Sequence, residues 1–265
     1  MLRAITAETV ARWQAERLAA GAGPHAVRKS MAVLSGILQR AVEAQRIAHN
    51  PVRSTRKVRL PARPEVRPLP PSTVEAMRAT LNARDATLVA VLAYAGLRPG
   101  EALSLEWGHV LEDTLVVNAT KTGKRRAVRL LAPLTADLRE WRLASGRPAA
   151  DRLVFPSRGG QRWTQEAQKS WARHAFRRAA VAAGAPDATP YALRHSYVSL
   201  LLAEGRSPLY VAAQAGHSPT MTLTVYGHLF ADFEDRARID AEEVIRAARD
   251  TGGVRSVSAG GKSGA

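Results

Sequence analysis

The sequence predicts a mainly α protein with one small antiparallel sheet (α+β), divided into two domains by a basic linker. Three observations predict it. Apolar residues recur at the spacing of amphipathic helices from residue 6 to 50 and again beyond residue 72. Between these stretches, residues 52–71 hold Pro61, Pro64, Pro68, Pro70 and Pro71, too many breaks for either helix or sheet. A single pair of short apolar runs, within Leu115 to Leu130, folds about Thr122-Gly123 as a hairpin.

The first domain, residues 1–51, is read as two helices. Thr6 caps one that holds Val10, Trp13 and Leu18 on one arc; Val27, Met31, Leu34, Leu38 and Ala41 mark the second, which Asn50-Pro51 ends. The linker, 52–71, carries Arg53, Arg56, Lys57, Arg59, Arg63 and Arg67 against Glu65 alone. It is extended, either as a solvated tether or as a strap along phosphates. The second domain, 72–250, opens on a capping box, Ser72-x-x-Glu75, and Asp85 caps a further helix that runs to Gly96. Pro99 suits the first turn of another. A short strand is expected over Leu153 to Phe155, a long helix from Thr164 to Ala183, and helices near 190–204, 207–214 and 219–227. Residues 232–250, with seven acidic and four basic side chains, complete the domain as a helix that docks either on a neighbouring protomer or on its own domain. The Gly/Ser-rich tail, 251–265, is expected to be disordered.

Charge narrows the function. The chain has 265 residues, with 39 Lys+Arg against 23 Asp+Glu, a formal net charge of +16. Of the cations 33 are arginine and 6 lysine, a balance that suits bidentate phosphate contacts. A polyanionic partner, nucleic acid first, is the expectation. The absence of cysteine excludes a disulfide framework, a thiolate metal site and a cysteine nucleophile. With no run approaching the ~20 apolar residues of a membrane helix and no leader-like N-terminus, a soluble cytoplasmic protein is expected.

The residues that carry chemistry stand at the ends of elements. Gly96-Leu97-Arg98-Pro99-Gly100-Glu101 places an arginine in a tight turn, with a carboxylate three positions later to hold the guanidinium. Lys121 and Lys124 flank the hairpin turn in Thr120-Lys121-Thr122-Gly123-Lys124. In Tyr191-Ala192-Leu193-Arg194-His195, Tyr191 and Arg194 share one face of a helix start. His217 follows the glycine that ends a helix in Gly216-His217-Ser218, and Tyr226 lies nine residues on, in Val225-Tyr226-Gly227-His228-Leu229. Each fragment alone also fits an ordinary loop, hairpin or helix.

In this order the fragments resemble the catalytic domain of the tyrosine recombinase, or phage integrase, family across residues 70 to 230. Residues 1–50, closing on Ile47-Ala48-His49-Asn50-Pro51, resemble that family's helical, SAM-like core-binding domain. The resemblance implies a two-domain clamp on duplex DNA, with the linker crossing it, and self-association into a synaptic tetramer. It implies Tyr226 as the nucleophile that forms a 3′-phosphotyrosine, Arg98 and Arg194 as clamps on the scissile phosphate, and Glu101 in support. Lys121 becomes the general acid, and His217 a donor to the phosphate or an aid to proton transfer, in reach of Tyr226 as its base. Arg53, Arg56, Lys57, Arg59 and Lys124 contact DNA. The phosphotyrosine retains the phosphodiester energy, so no cofactor is expected, neither ATP nor metal. Integration or excision of a phage or mobile element is the activity implied.

Two departures from the family pattern stand out. Tyr191 occupies a position usually held by histidine, where its hydroxyl retains only the capacity to donate a hydrogen bond to phosphate. The second is that these 265 residues are not expected to include the arm-binding domain of larger integrases. Rival readings include a zinc hydrolase built on His195, His217 and His228, which lack metal-helix spacing and a nearby carboxylate. A type IB topoisomerase shares the chemistry but acts without a partner site. The alternative from another class is a non-catalytic sequence-specific DNA-binding protein, which would keep the basic patches and lose the nucleophile.

Overall fold

A computed structural model of the chain describes residues 4–61, 67–118, 125–234 and 238–251. The fold is mainly helical, with one two-stranded antiparallel sheet among these residues. The chain divides into two compact units, residues 1–65 and 66–265.

In the first unit, α1 (Ala7–Ala19) starts where Thr6 accepts a hydrogen bond from the Thr9 backbone at 3.1 Å. Helix α2 (Pro24–Glu43) buries Val27, Met31, Leu38 and Ala41. It stops seven residues before Asn50, because Gln45 takes a left-handed φ of 54° and the Arg46 N–H returns to the Ala41 carbonyl at 2.8 Å. Asn50 has a different task. Its side chain accepts from the Val52 N–H at 3.1 Å, opening a 3₁₀ turn (Pro51–Ser54), and donates to the Ser35 carbonyl at 2.9 Å. Val58 is buried with Val10, Val27 and Met31, so residues 51–58 belong to the packed unit rather than to an extended linker. Burial at Thr55 and Val58 leaves Arg53, Arg56, Lys57 and Arg59 facing solvent.

The first helix of the second unit begins one residue early. Pro71 is the first residue of α3 (Pro71–Ala79), behind Pro70, and Ser72 caps nothing. Two prolines preset the helical entry that a capping box would otherwise provide. Glu75 is instead buried, accepting from Arg78 at 2.5 Å and from the Tyr94 hydroxyl at 2.6 Å. Asn82, not Asp85, caps α4 (Ala83–Tyr94); Asp85 sits in the first turn, and its N–H donates to Asn82 at 3.0 Å. Residues 87–95 of this helix and its cap are all buried, which makes α4 the axis of the core.

After α5 (Pro99–Leu103), β1 (Thr114–Asn118) pairs with β2 (Arg125–Arg129) in the register Thr114↔Arg129. The hairpin turn, with Lys121 and Lys124, lies outside the described residues. Helix α6 (Ala132–Ala144) follows. No strand forms over Leu153 to Phe155: Leu153 makes an isolated bridge to Glu106, and Val154 and Phe155 point into the core. Thr164 caps α7 (Gln165–Trp171), and a π-helical turn (Ala172–Phe176) separates it from α8 (Arg177–Ala182).

Helix α9 (Pro190–Ala203) packs along α4, and α10 (Pro208–Ala215) and α11 (Pro219–Glu234) close the unit. The helix expected from 232 begins later, as α12 (Ala241–Thr251), capped by Asp240. It packs on its own unit, with Arg249 on Asp137 at 2.7 Å and on the Pro133 carbonyl at 3.1 Å. Among the described residues no helix is long and apolar enough to cross a membrane.

Candidate active site

Two glycine turns organise the site. Gly96 ends α4 at φ 60° and Gly216 ends α10 at φ 64°, a conformation that favours glycine. A side chain at Gly96 would also run into the Tyr197 ring. The carbonyls beside these turns point at guanidiniums. Arg194, on α9 and 3% exposed, donates to the carbonyls of Gly96 and Ala215. Arg98, the residue before α5, donates from Nη2 to the Gly216 carbonyl at 2.8 Å and from Nη1 to Glu101 at 2.8 Å. Its side chain remains 37% exposed.

Glu101 is the hinge between these groups. It accepts from the Arg98 backbone at 2.9 Å, and Arg126 of β2 grips both its oxygens at 3.0 and 2.8 Å. Burial works against its charge, but hydrogen bonds from Arg126 and Arg98 prevail and hold the carboxyl at about 2. Arg194 is pressed down to about 10 by burial and by Arg98, and stays charged at neutral pH.

Tyr226, on α11, is fully buried between two imidazoles. His195 Nδ1 lies 2.5 Å from its hydroxyl, with ring centroids 5.6 Å apart. The His217 ring stacks on the tyrosine at 6.2 Å and 18°. Burial, Arg194 and Arg98 push His217 down to about 3, so it is a neutral imidazole at physiological pH. Its Nδ1 is buried with no hydrogen-bond partner among the described residues.

The structure thus gathers Arg98, Glu101, Arg194, His217 and Tyr226. Tyr191 stands apart: it is 54% exposed in the first turn of α9 and makes no hydrogen bond among the described residues. Two members of the cluster escape a reading of the sequence alone. Arg126 is one of several arginines on the hairpin, and its role depends on the pairing with Glu101. His195 had a usable signal, since it follows Tyr191 by four residues, one helical turn. Among the described residues no three potential ligands cluster to hold a metal ion.

A mainly helical fold thus brings three arginines, two histidines and a tyrosine together from β2, the start of α5, α9, the end of α10 and the middle of α11. Residues 69–232 match the model of the phage integrase family. The chain belongs to that family, the tyrosine recombinases. It is 36% identical over 163 residues to the tyrosine recombinase XerC of Xanthomonas axonopodis pv. citri, covering 61% of this chain. The chain spans 51% of that relative's own length. In fold it is similar to the Tn1549 transposon integrase in complex with transposon right end DNA, with a TM-score of 0.71 and 17% identity over 88% of this chain and 84% of that one. It is also similar to a lambda integrase dimer bound to a COC′ core site, with a TM-score of 0.67 and 18% identity over 82% of this chain and 81% of that one.

Proposed function

We propose that the chain is a site-specific recombinase that cleaves and rejoins duplex DNA through a 3′-phosphotyrosine at Tyr226. The observation that carries this reading is the anchoring of Arg98 and Arg194 on the carbonyls of adjoining turns, beside a tyrosine flanked by two imidazoles. Negative charge grows on the non-bridging phosphate oxygens as the phenol oxygen attacks phosphorus. Guanidiniums that are already fixed stabilise that charge without reorganising. Arg98, partly exposed, presents its open edge to the phosphate, and the buried Arg194 adds a second fixed positive charge from α9. His217, neutral, serves as a ring N–H donor to phosphate rather than as a cationic acid. Lys121 supplies a proton to the departing 5′ oxygen.

Arg53, Arg56, Lys57, Arg59 and Lys124 hold DNA phosphates. Recombination joins two duplexes, and assembly into a tetramer on DNA follows from that need. The setting proposed is integration or excision of a phage or mobile element, as the resemblance implies; the likeness in sequence to XerC favours chromosomal recombination as the second reading.

A nicked suicide duplex tests the proposal, because the short 5′ fragment diffuses away and strands the covalent complex. Its sequence is selected from a randomised pool by binding to the Tyr226→Phe protein. The expected result is a slow-migrating adduct on a denaturing gel with the wild-type chain and none with Tyr226→Phe. An adduct that survives the substitution would remove Tyr226 as nucleophile.

A further inference from the structure

We infer that His195 is the proton acceptor for Tyr226, the group that converts its phenol into the attacking phenolate; this rests on Tyr226 being the nucleophile. An ordinary phenol, with a pKa of about 10, is only about 0.1% ionised at pH 7, so attack needs a base within hydrogen-bond reach. Two imidazoles touch Tyr226, and the geometry separates them. His217 lies ring over ring, at 6.2 Å and 18°, a contact made through its face. His195 makes a ring-nitrogen contact, Nδ1 to hydroxyl at 2.5 Å. His217 is also a poor base, since burial and the neighbouring arginines hold it near 3.

The position of His195 in the chain strengthens the assignment. Where the family pattern has histidine, this chain has Tyr191, and that side chain is turned to solvent. The imidazole stands four residues later, one turn along the same helix and next to Arg194. One helix therefore presents both a phosphate clamp and a base to the nucleophile. The charged and titratable groups of this cluster among the described residues are Arg194 on α9, Arg98 before α5, Glu101 on α5, Arg126 on β2, His217 after α10 and Tyr226 on α11.

The step balances as follows. The Tyr226 oxygen bonds to phosphorus while the bond from phosphorus to the 5′ oxygen breaks. The phenol proton passes to His195 Nδ1, and the departing oxygen takes a proton from the acid assigned to Lys121. In rejoining, the 5′ hydroxyl attacks, its proton returns to that acid, and the His195 imidazolium reprotonates the phenolate.

Single-turnover trapping on the selected nicked duplex tests the inference, with Tyr226→Phe in the same series. Absence of any Tyr226-dependent adduct from the wild-type chain rejects the nucleophile reading itself. Given that adduct, His195→Asn keeps an acceptor near Nδ1 but takes no proton, and it is expected to slow trapping by about 100-fold or more. The defect should persist on a duplex whose scissile 5′ oxygen is replaced by sulfur, a leaving group that needs no acid, whereas the defect of Lys121→Ala should vanish there. Melting temperature and DNA affinity certify the fold, and His195→Gln substitutes should the asparagine variant fail to fold. A variant within about threefold of wild type, a faster one, or one rescued by sulfur would each overturn the assignment.

Discussion

Arg126 closes its guanidinium fork on Glu101, Nη1 to Oε1 at 3.0 Å and Nη2 to Oε2 at 2.8 Å, and so ties β2 to the turn that carries Arg98. The pair is nearly dry, with side-chain exposures of 12% and 4%. Breaking such a pair from one side strands a buried charge, which costs far more than an exposed ion pair is worth. Arg98 thereby inherits its direction from a carboxylate whose both oxygens are engaged.

The titration of Glu101 follows from this pairing. Its carboxyl sits near 4.5 when unpaired and at about 2 in the fold. A depressed pKa stabilises the fold fully above the unpaired value and loses that contribution as pH falls through the folded one. Resistance to urea is therefore expected to decline from pH 4.5 towards 2, and Glu101→Gln, weaker at neutral pH, should decline less over that window. Parallel declines in urea titrations of the two proteins would contradict the linkage.

Arg194 and Tyr191 share a helix and should differ sharply in effect. Arg194→Ala removes a fixed cation and is expected to lower single-turnover cleavage by at least about 100- to 1,000-fold. Tyr191→Phe removes one solvent-facing hydroxyl, at most about 1–2 kcal/mol, or about 5- to 30-fold. Tyr191→His should retain or improve activity. Rates measured at equal DNA occupancy decide; a Tyr191→Phe protein as inactive as Arg194→Ala would assign the hydroxyl a chemical part.

Replacing Arg53, Arg56, Lys57 and Arg59 together by alanine should weaken binding alike on all sequences. Each cation taken away from a phosphate flattens the slope of log affinity against log salt by up to about 0.9. An unchanged slope in fluorescence-anisotropy titrations would remove these side chains from the DNA interface.

Gly96→Ala combines a left-handed backbone with a collision against Tyr197. The two penalties together predict a loss of about 2–5 kcal/mol in denaturant unfolding. Gly100→Ala, where a side chain meets open space, is the control and should cost far less.

Much of this was legible in the sequence, and the failures have physical causes. The long apolar run of α4, the hairpin and the glycine-ended helices follow from periodicity and turn chemistry, which act locally. Glu75 looked like a cap because its spacing from Ser72 is right; only the folded chain brings Tyr94 and Arg78 to it. Val154 and Phe155 have strand-like composition but lack an adjacent strand beyond one bridge. In the site, Arg98, Glu101, Arg194, His217 and Tyr226 stood out only through their joint order along the chain, which resembles a family pattern, and the fold brings them together. Arg126 and His195 did not, since what distinguishes each is a partner 25 or 31 residues away in sequence.

The burial of Tyr226 bears on how such a molecule behaves between encounters. A chain of +16 charge, acting on DNA as proposed, would spend its time on unrelated stretches of polymer, held there by counterion release alone. For a molecule acting as proposed, the full burial of Tyr226 means that a phosphate reaches the phenol oxygen only when the side chains over it part while the contact with His195 is kept. Contacts at the right target can drive that parting and a sliding encounter cannot, so the packing over one tyrosine would separate searching DNA from cutting it.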